Sequence, residues 1–342
     1  MNTLFLGLIV VIVAAALQGS FAVPMAYARS WKWENSWMVF SVFGMIVLNL
    51  LFALLSVPGL FGVFGAATAD DLFMPLVFGV IWGVGAIGFG LGVTSAGLAL
   101  GYPILLGTVL SMGAFIPMVA LHPEEILTRK GTLVLFGLAV TLLGIFTSGY
   151  AGIRKEREQG QGAGEITKVG RFSVRVGIII CFIAGLCSSA INIGFSLSRS
   201  LVDIALAHGA PENWAGNVIW VVLFTSGGIL NILYCAYLMG VNKTAGCYRA
   251  GGSLGNFVLL LVMSLMWIGS FILYGVGATM MGGWGTVIGW AVYMVLSIAV
   301  ANVWGIVQGE WKGVSRVTKM VMVRALVILF VAILIFAYSG TV

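Results

Sequence analysis

Residues 4–25 read LFLGLIVVIVAAALQGSFAVPM, a stretch without a single acidic or basic side chain and with only Gln18 and Ser20 as polar ones. At a rise of about 1.5 Å per residue, such a helix crosses the roughly 30 Å hydrocarbon core of a bilayer. Nine stretches of the same kind follow, at approximately Ser36–Val57, Leu72–Thr94, Leu98–Ala120, Lys130–Tyr150, Ser173–Leu197, Trp214–Gly240, Leu254–Val276, Trp284–Gln308 and Met320–Tyr338. The runs are long and continuous, where a membrane barrel would show short alternating segments. Helices are also the only open way to satisfy backbone polar groups in lipid. The expected fold is therefore an all-α polytopic membrane protein with ten transmembrane helices.

Composition agrees with this along the whole chain. Of 342 residues 61% are hydrophobic and 8% charged, and mean hydropathy is +1.11, whereas a soluble domain carries about 25% charged residues. No polar segment is long enough to form a soluble domain. The first run reads as a helix rather than a removable leader, because Met1–Thr3 hold no base and Gln18–Tyr27 hold no convincing cleavage pattern.

The net charge of +6 comes from short loops rather than from a basic domain, so nucleic acid is not an expected partner. Fourteen of the 17 basic residues fall on one side: Arg29, Lys32, the Arg154–Arg175 cluster, Lys243, Arg249 and the Lys312–Arg324 cluster. Arg129, Lys130 and Arg199 fall on the other. Positive charge is retained in the cytoplasm, so the sequence predicts a multi-pass protein of the bacterial inner (plasma) membrane with both termini periplasmic.

Chemistry of other kinds finds no support. Cys181, Cys187, Cys235 and Cys247 show no ligand spacing and only His122 and His208 accompany them, so no metal and no cofactor are expected. There is no H-E-x-x-H, G-x-S-x-G or P-loop, and neither histidine lies in a span. No catalytic residue and no enzyme are expected.

Five spans precede the basic segment and five follow it, and an odd number in each half gives the halves opposite orientations. The sequence divides as a first five-helix repeat at 1–150, a cytoplasmic basic loop at 151–172 and a second five-helix repeat at 173–342. Trp82, Phe89, Gly90, Gly92, Thr94 and Gly97 recur 185 positions later as Trp267, Tyr274, Gly275, Gly277, Thr279 and Gly282 without a gap, and Ser148-Gly149 is echoed by Ser339-Gly340. Inverted repeats are a device of secondary transporters, whose mirrored halves exchange outward-open and inward-open shapes about a central site.

Polar and aromatic groups inside spans are the candidates for that site, since each is costly in lipid without a partner or a wet cavity. They include Gln18, Ser20, Asn49, Asn192, Ser196, Asn231 and Asn302, with Trp82, Trp267, Tyr274, Trp290 and Tyr293. Amides and hydroxyls suit a neutral polyol, and flat rings suit the apolar face of a sugar. The same residues also serve as bridges between helices. The reading selects Gln18, Trp82, Asn192, Ser196, Trp267 and Tyr274 for the solute. It selects Glu34, Asp203 and Glu310, the acids nearest to spans, for proton coupling. Gly88 and Gly92 are expected to let helices approach closely, and Pro24, Pro103 and Pro117 to bend theirs.

Several stretches then resemble one family. Ala15–Trp37 with Ser30-Trp-Lys-Trp-Glu34, Gly79-Val-Ile-Trp-Gly-Val-Gly85 followed by Phe89-Gly90-Leu91, Leu265-Met266-Trp267 with Phe271–Gly275, and Gly309-Glu310-Trp311-Lys312 are similar to motifs of the bacterial L-rhamnose-proton symporters. These belong to the drug/metabolite transporter superfamily. The resemblance implies five-plus-five inverted repeats and import of a 6-deoxyhexose with protons, and Glu34, Trp82, Trp267, Glu310 and Trp311 match family positions. Small neutral sugar, protons and the lipid bilayer are the partners it implies. A carrier for another sugar or metabolite, an exporter included, and a non-transporting membrane sensor stand as alternatives.

Overall fold

The computed structural model describes residues 3–96, 98–160, 174–249 and 252–342. Gly97 of the first repeat motif and residues 161–172 of the basic loop lie outside them. Among the described residues there is no strand, and ten helices are long and apolar enough to cross a membrane. They are α1 (Thr3–Ser20), α2 (Trp33–Ser56), α3 (Ala69–Ala96), α4 (Leu98–Leu121), α5 (Arg129–Glu158), α6 (Val174–Leu197), α7 (Asn217–Asn242), α8 (Ser253–Met280), α9 (Gly285–Val307) and α10 (Arg316–Ser339).

The spans expected from the sequence are all present, with one notable difference of boundary. Helix α5 continues past Tyr150 to Glu158, so the segment expected as a loop from 151 begins as two further helical turns. Its polar residues are held there by tertiary bonds. Ser315 donates from both its backbone N and its hydroxyl to Glu158, at 2.7 and 2.8 Å. Gln159 donates to the carbonyl oxygens of Glu310 and Lys312.

Packing partners follow a reciprocal scheme. Helix α3 lies along α6 and α8 along α1, α4 packs on α6 and α9 on α1, while α5 pairs with α10 and α2 with α7. Each contact has a counterpart with every helix number moved by five. In lipid, helices gain nothing from burying apolar surface against each other, so close backbone approach through small residues carries more of the association. Glycine supplies it here. A Cβ on Gly83 would stand 2.8 Å from the Gly227 Cα of α7, and one on Gly92 would stand 3.0 Å from the Cys181 backbone N of α6. Gly277, the repeat partner of Gly92, meets α1 in the corresponding way, 2.8 Å from the Gly7 carbonyl oxygen.

Two spans contain π-helical stretches, at Ser41–Val47 in α2 and Gly285–Gly289 at the start of α9. Between them lies an aromatic core built from Phe40, Trp82, Trp220, Phe224, Trp267, Phe271, Tyr274, Trp290 and Tyr293. At its centre the indoles of Trp82 and Trp267 stack, with centroids 6.0 Å apart and planes 25° from parallel. Phe224 meets Trp82 edge-on at 5.4 Å and Phe40 meets Trp267 edge-on at 5.2 Å.

Candidate functional site

The polar groups of the spans separate into two sets. One set is spent on joining helices. Asn192 on α6 donates to the carbonyl oxygens of Gly113 at 2.7 Å and Thr286 at 2.9 Å, and its own carbonyl oxygen accepts the hydroxyl of Tyr274. Asn192 thus joins α6 to α4, α9 and α8. The Ser196 hydroxyl bonds back to the Asn192 carbonyl, as a serine within a helix commonly does. Asn49 donates to the Trp220 carbonyl, and Asn231 accepts the Trp37 indole N–H. With Asn192 and Tyr274 fully buried and Trp82 and Trp267 8% and 4% exposed, five of the six residues selected for the solute form a packed core. In this arrangement the two indoles cover one another.

The second set faces a cavity of about 340 Å³, within the range of roughly 300–1,000 Å³ typical of small-molecule sites. Gln18 contributes from the last turn of α1. Ser148, Lys155 and Glu156 come from α5, Ser297 and Asn302 from α9, and Glu310 and Trp311 from the α9–α10 connection. Phe21 and Tyr102 add rings. All of these positions lie toward the end of the bundle where α1, α5 and α9 terminate, which is the end that carries 12 of the 15 described basic residues.

Gln18 is the point of contact between cavity and core. Its side-chain carbonyl oxygen accepts the Ser270 hydroxyl at 2.8 Å, and Ser270 stands 3.0 Å from the Tyr293 hydroxyl. The amide nitrogen of Gln18 has no acceptor among the described residues and is free for a ligand. Across the cavity, Ser148 donates weakly to Asn302 at 3.4 Å. The lining thus offers amide and hydroxyl donors and acceptors, with rings beside them, as a hydroxylated neutral solute requires.

The three acids selected for coupling occupy different settings. Glu310 lines the cavity mouth and pairs with Lys155 at 2.9 Å. Glu34 is buried and accepts the Asn242 amide at 3.0 Å and the Thr244 hydroxyl at 2.8 Å, which ties α2 to the end of α7. Asp203 is a surface residue paired with Arg199 one helical turn away. A fourth acid, Glu156, lines the cavity and was not selected from the sequence, because it follows Tyr150 in what reads as loop. Only the extension of α5 brings it to the lining.

At the opposite end of the bundle, side chains of the connections between helices meet. His122, at the end of α4, stacks on Trp284 of the α8–α9 connection at 4.4 Å. The Trp284 indole N–H donates to Glu125 at 3.1 Å, and Lys130 lies 5.7 Å from the Trp284 ring centre. Beside them Arg129 donates to the hydroxyl of Tyr338 at the end of α10.

A ten-helix bundle with a largely apolar cavity toward one end, into which amides and hydroxyls are set, suits a carrier, and comparison with known proteins agrees. The family model for the L-rhamnose-proton symport protein (RhaT) matches residues 1–340. The chain belongs to that family. Curated relatives named L-rhamnose-proton symporter include one from Yersinia pestis (strain Pestoides F), 24% identical over 340 residues and 97% of both chains. Another, from Pectobacterium atrosepticum, is 25% identical over 338 residues, which is 97% of this chain and 96% of its own. The family is one of transporters and not of enzymes, and the chain is a multi-pass membrane protein.

Proposed function

We propose that this protein is a secondary active transporter that imports a 6-deoxyhexose such as L-rhamnose with protons across the inner membrane by alternating access. The observation that carries the reading is the cavity: it sets the uncharged polar groups of Gln18, Ser148, Ser297 and Asn302 into a largely apolar lining, and it lies toward one end of the bundle. With the basic end in the cytoplasm, both termini are periplasmic and this conformation is inward-open. The proposal includes the five-plus-five inverted repeat, which the reciprocal helix packing supports. Rocking of the halves about the aromatic core would close the cavity at Gln18 and open the sealed end. Trp82, Trp267, Asn192, Ser196 and Tyr274 then serve as the pivot rather than as direct solute contacts in this state. Glu310 and Glu156, the carboxylates that line the cavity, are the groups placed to exchange protons with the cytoplasm.

The test is uptake of labelled L-rhamnose by proteoliposomes with and without an inward proton gradient. Gradient-dependent accumulation is expected. Saturable counterflow without such accumulation would leave a carrier but remove proton coupling, and binding without flux would favour a sensor.

A further inference from the structure

We infer that His122 and Glu125 form a proton-binding site that holds the outer end of the transporter shut. Both nitrogens of the His122 ring face acceptors. Nε2 stands 2.9 Å from the Gly283 carbonyl oxygen, an atom that never donates, and Nδ1 stands 3.3 Å from a carboxylate oxygen of Glu125. A neutral imidazole has one N–H. With that hydrogen on Nε2, the lone pair of Nδ1 would point at a carboxylate, and with it on Nδ1, another would point at a carbonyl. The set of bonds is complete only when one further proton is present, as an imidazolium against Glu125.

The other carboxylate oxygen of Glu125 accepts the Trp284 indole N–H, and the imidazole lies flat on that indole. One proton therefore completes a cluster that fastens the α4–α5 connection of the first half to the α8–α9 connection of the second. Those two segments must separate for the outer end to open. The charged groups facing the cluster are Glu124 and Glu125 from the α4–α5 connection and Arg129 and Lys130 from the start of α5. Residues 281–289 of the α8–α9 connection and α9 contribute none.

The Glu125 side chain is 48% exposed and that of His122 is 13% exposed, so the proton is drawn from the outer solution and returns to it when the seal opens. The pair thus sets the balance between conformations and does not carry the coupled proton across. Because the closed form holds a proton that the open form releases, linkage makes external acid favour closure and the inward-open state. A periplasm more acidic than the cytoplasm would then bias loaded carriers toward release inside.

The inference rests on the transport reading for the direction of opening, but its central claim is tested without any solute. The chain has two histidines, so nitrogen-15 NMR of histidine-labelled protein in nanodiscs resolves each ring. His208, whose Nδ1 lies 2.9 Å from the Ile204 carbonyl and which has no carboxylate partner among the described residues, is the internal reference. In the unaltered protein at neutral pH, His122 is expected to show protons on both ring nitrogens, each with the shift of a hydrogen-bonded donor, and Glu125→Gln is expected to leave a singly protonated ring. A singly protonated His122 ring in the unaltered protein overturns the inference.

The gating consequence is read by labelling Ser148→Cys in inside-out vesicles, on a background without the four native cysteines. Lowering lumenal pH should raise the labelling rate by up to about tenfold per unit, the limit for one linked proton, and His122→Gln should flatten the response. Labelling that follows lumenal pH equally in His122→Gln assigns the gate to another group and also overturns it. Neither measurement depends on which sugar is carried, so a failure of rhamnose uptake would be separately visible.

Discussion

The aromatic core and the cavity lie side by side, joined through Gln18 and Ser270, yet they are built from different kinds of residue. The core holds the residues that repeat between the halves: Trp82 stacks on Trp267, and Phe40 and Phe224 close on them from either side. The cavity lining, from Gln18 and Ser148 to Asn302 and Glu156, lies outside the gap-free recurrence that runs from Trp82 and from Trp267. In the proposed inverted repeat, a group on the pseudo-two-fold axis would meet its own counterpart, as the two indoles do. The gap-free recurrence thus falls in the core, and the cavity lies beside it.

Substitutions can break this contrast, and the largest effect should fall on the core. Trp267→Ala removes a buried indole and should cost about 3–5 kcal/mol of stability, read as a lower yield of folded protein and a lower unfolding temperature in detergent. Solute affinity of the surviving fraction should change less. The opposite outcome, full stability with lost binding, would move the solute into the core. Asn192→Ala should cost about 1–3 kcal/mol, since it leaves the buried carbonyls of Gly113 and Thr286 without their donor. Thermal unfolding measures it, and Asn192→Asp would show whether the donor rather than the shape matters.

Cavity substitutions should behave the other way. Gln18→Ala is expected to weaken solute binding by up to about tenfold, the value of one neutral hydrogen bond of about 1.4 kcal/mol, with unfolding temperature nearly unchanged; binding calorimetry and a melt on the same sample separate the two. Glu310→Gln loses an ion pair that is half exposed on the acid side and should cost at most about 1 kcal/mol of stability. If Glu310 exchanges the coupled proton, rhamnose accumulation in the variant should no longer follow the imposed pH gradient while counterflow persists. Asp203→Asn, at the exposed Arg199 pair, should stay within about 0.5 kcal/mol and leave transport unaltered. A large transport defect there would extend the functional region to the surface of the end opposite the cavity.

The two ends of the molecule repeat the lesson on a smaller scale. Glu125 and Glu310 stand 185 positions apart, the interval that separates Trp82 from Trp267. Glu125 binds Trp284 and His122 at one end of the bundle, whereas Glu310 binds Lys155 beside the cavity at the other. Positions 185 residues apart thus hold different partners, and which partner each one meets is decided by the tertiary structure. Glu156 escaped notice for a related reason: in a polar run after Tyr150 it reads as solvated loop, and only the bonds of Ser315 and Thr318 to Glu158 keep α5 helical far enough to place it.

By itself the sequence determined the ten spans, their alternating course, the unequal distribution of basic residues and the family. These follow from length, composition and charge, because lipid obliges every backbone group to bond within its own helix and does so wherever about twenty apolar residues run together. Which side chains meet was decided only by the tertiary structure. Apolar spans carry little directional pattern, since both lipid and neighbouring helices accept the same residues. The close approaches at Gly83, Gly92 and Gly277 fix which helix faces turn toward each other. That choice sent Trp82 and Trp267 into contact with one another and left Gln18 facing the cavity.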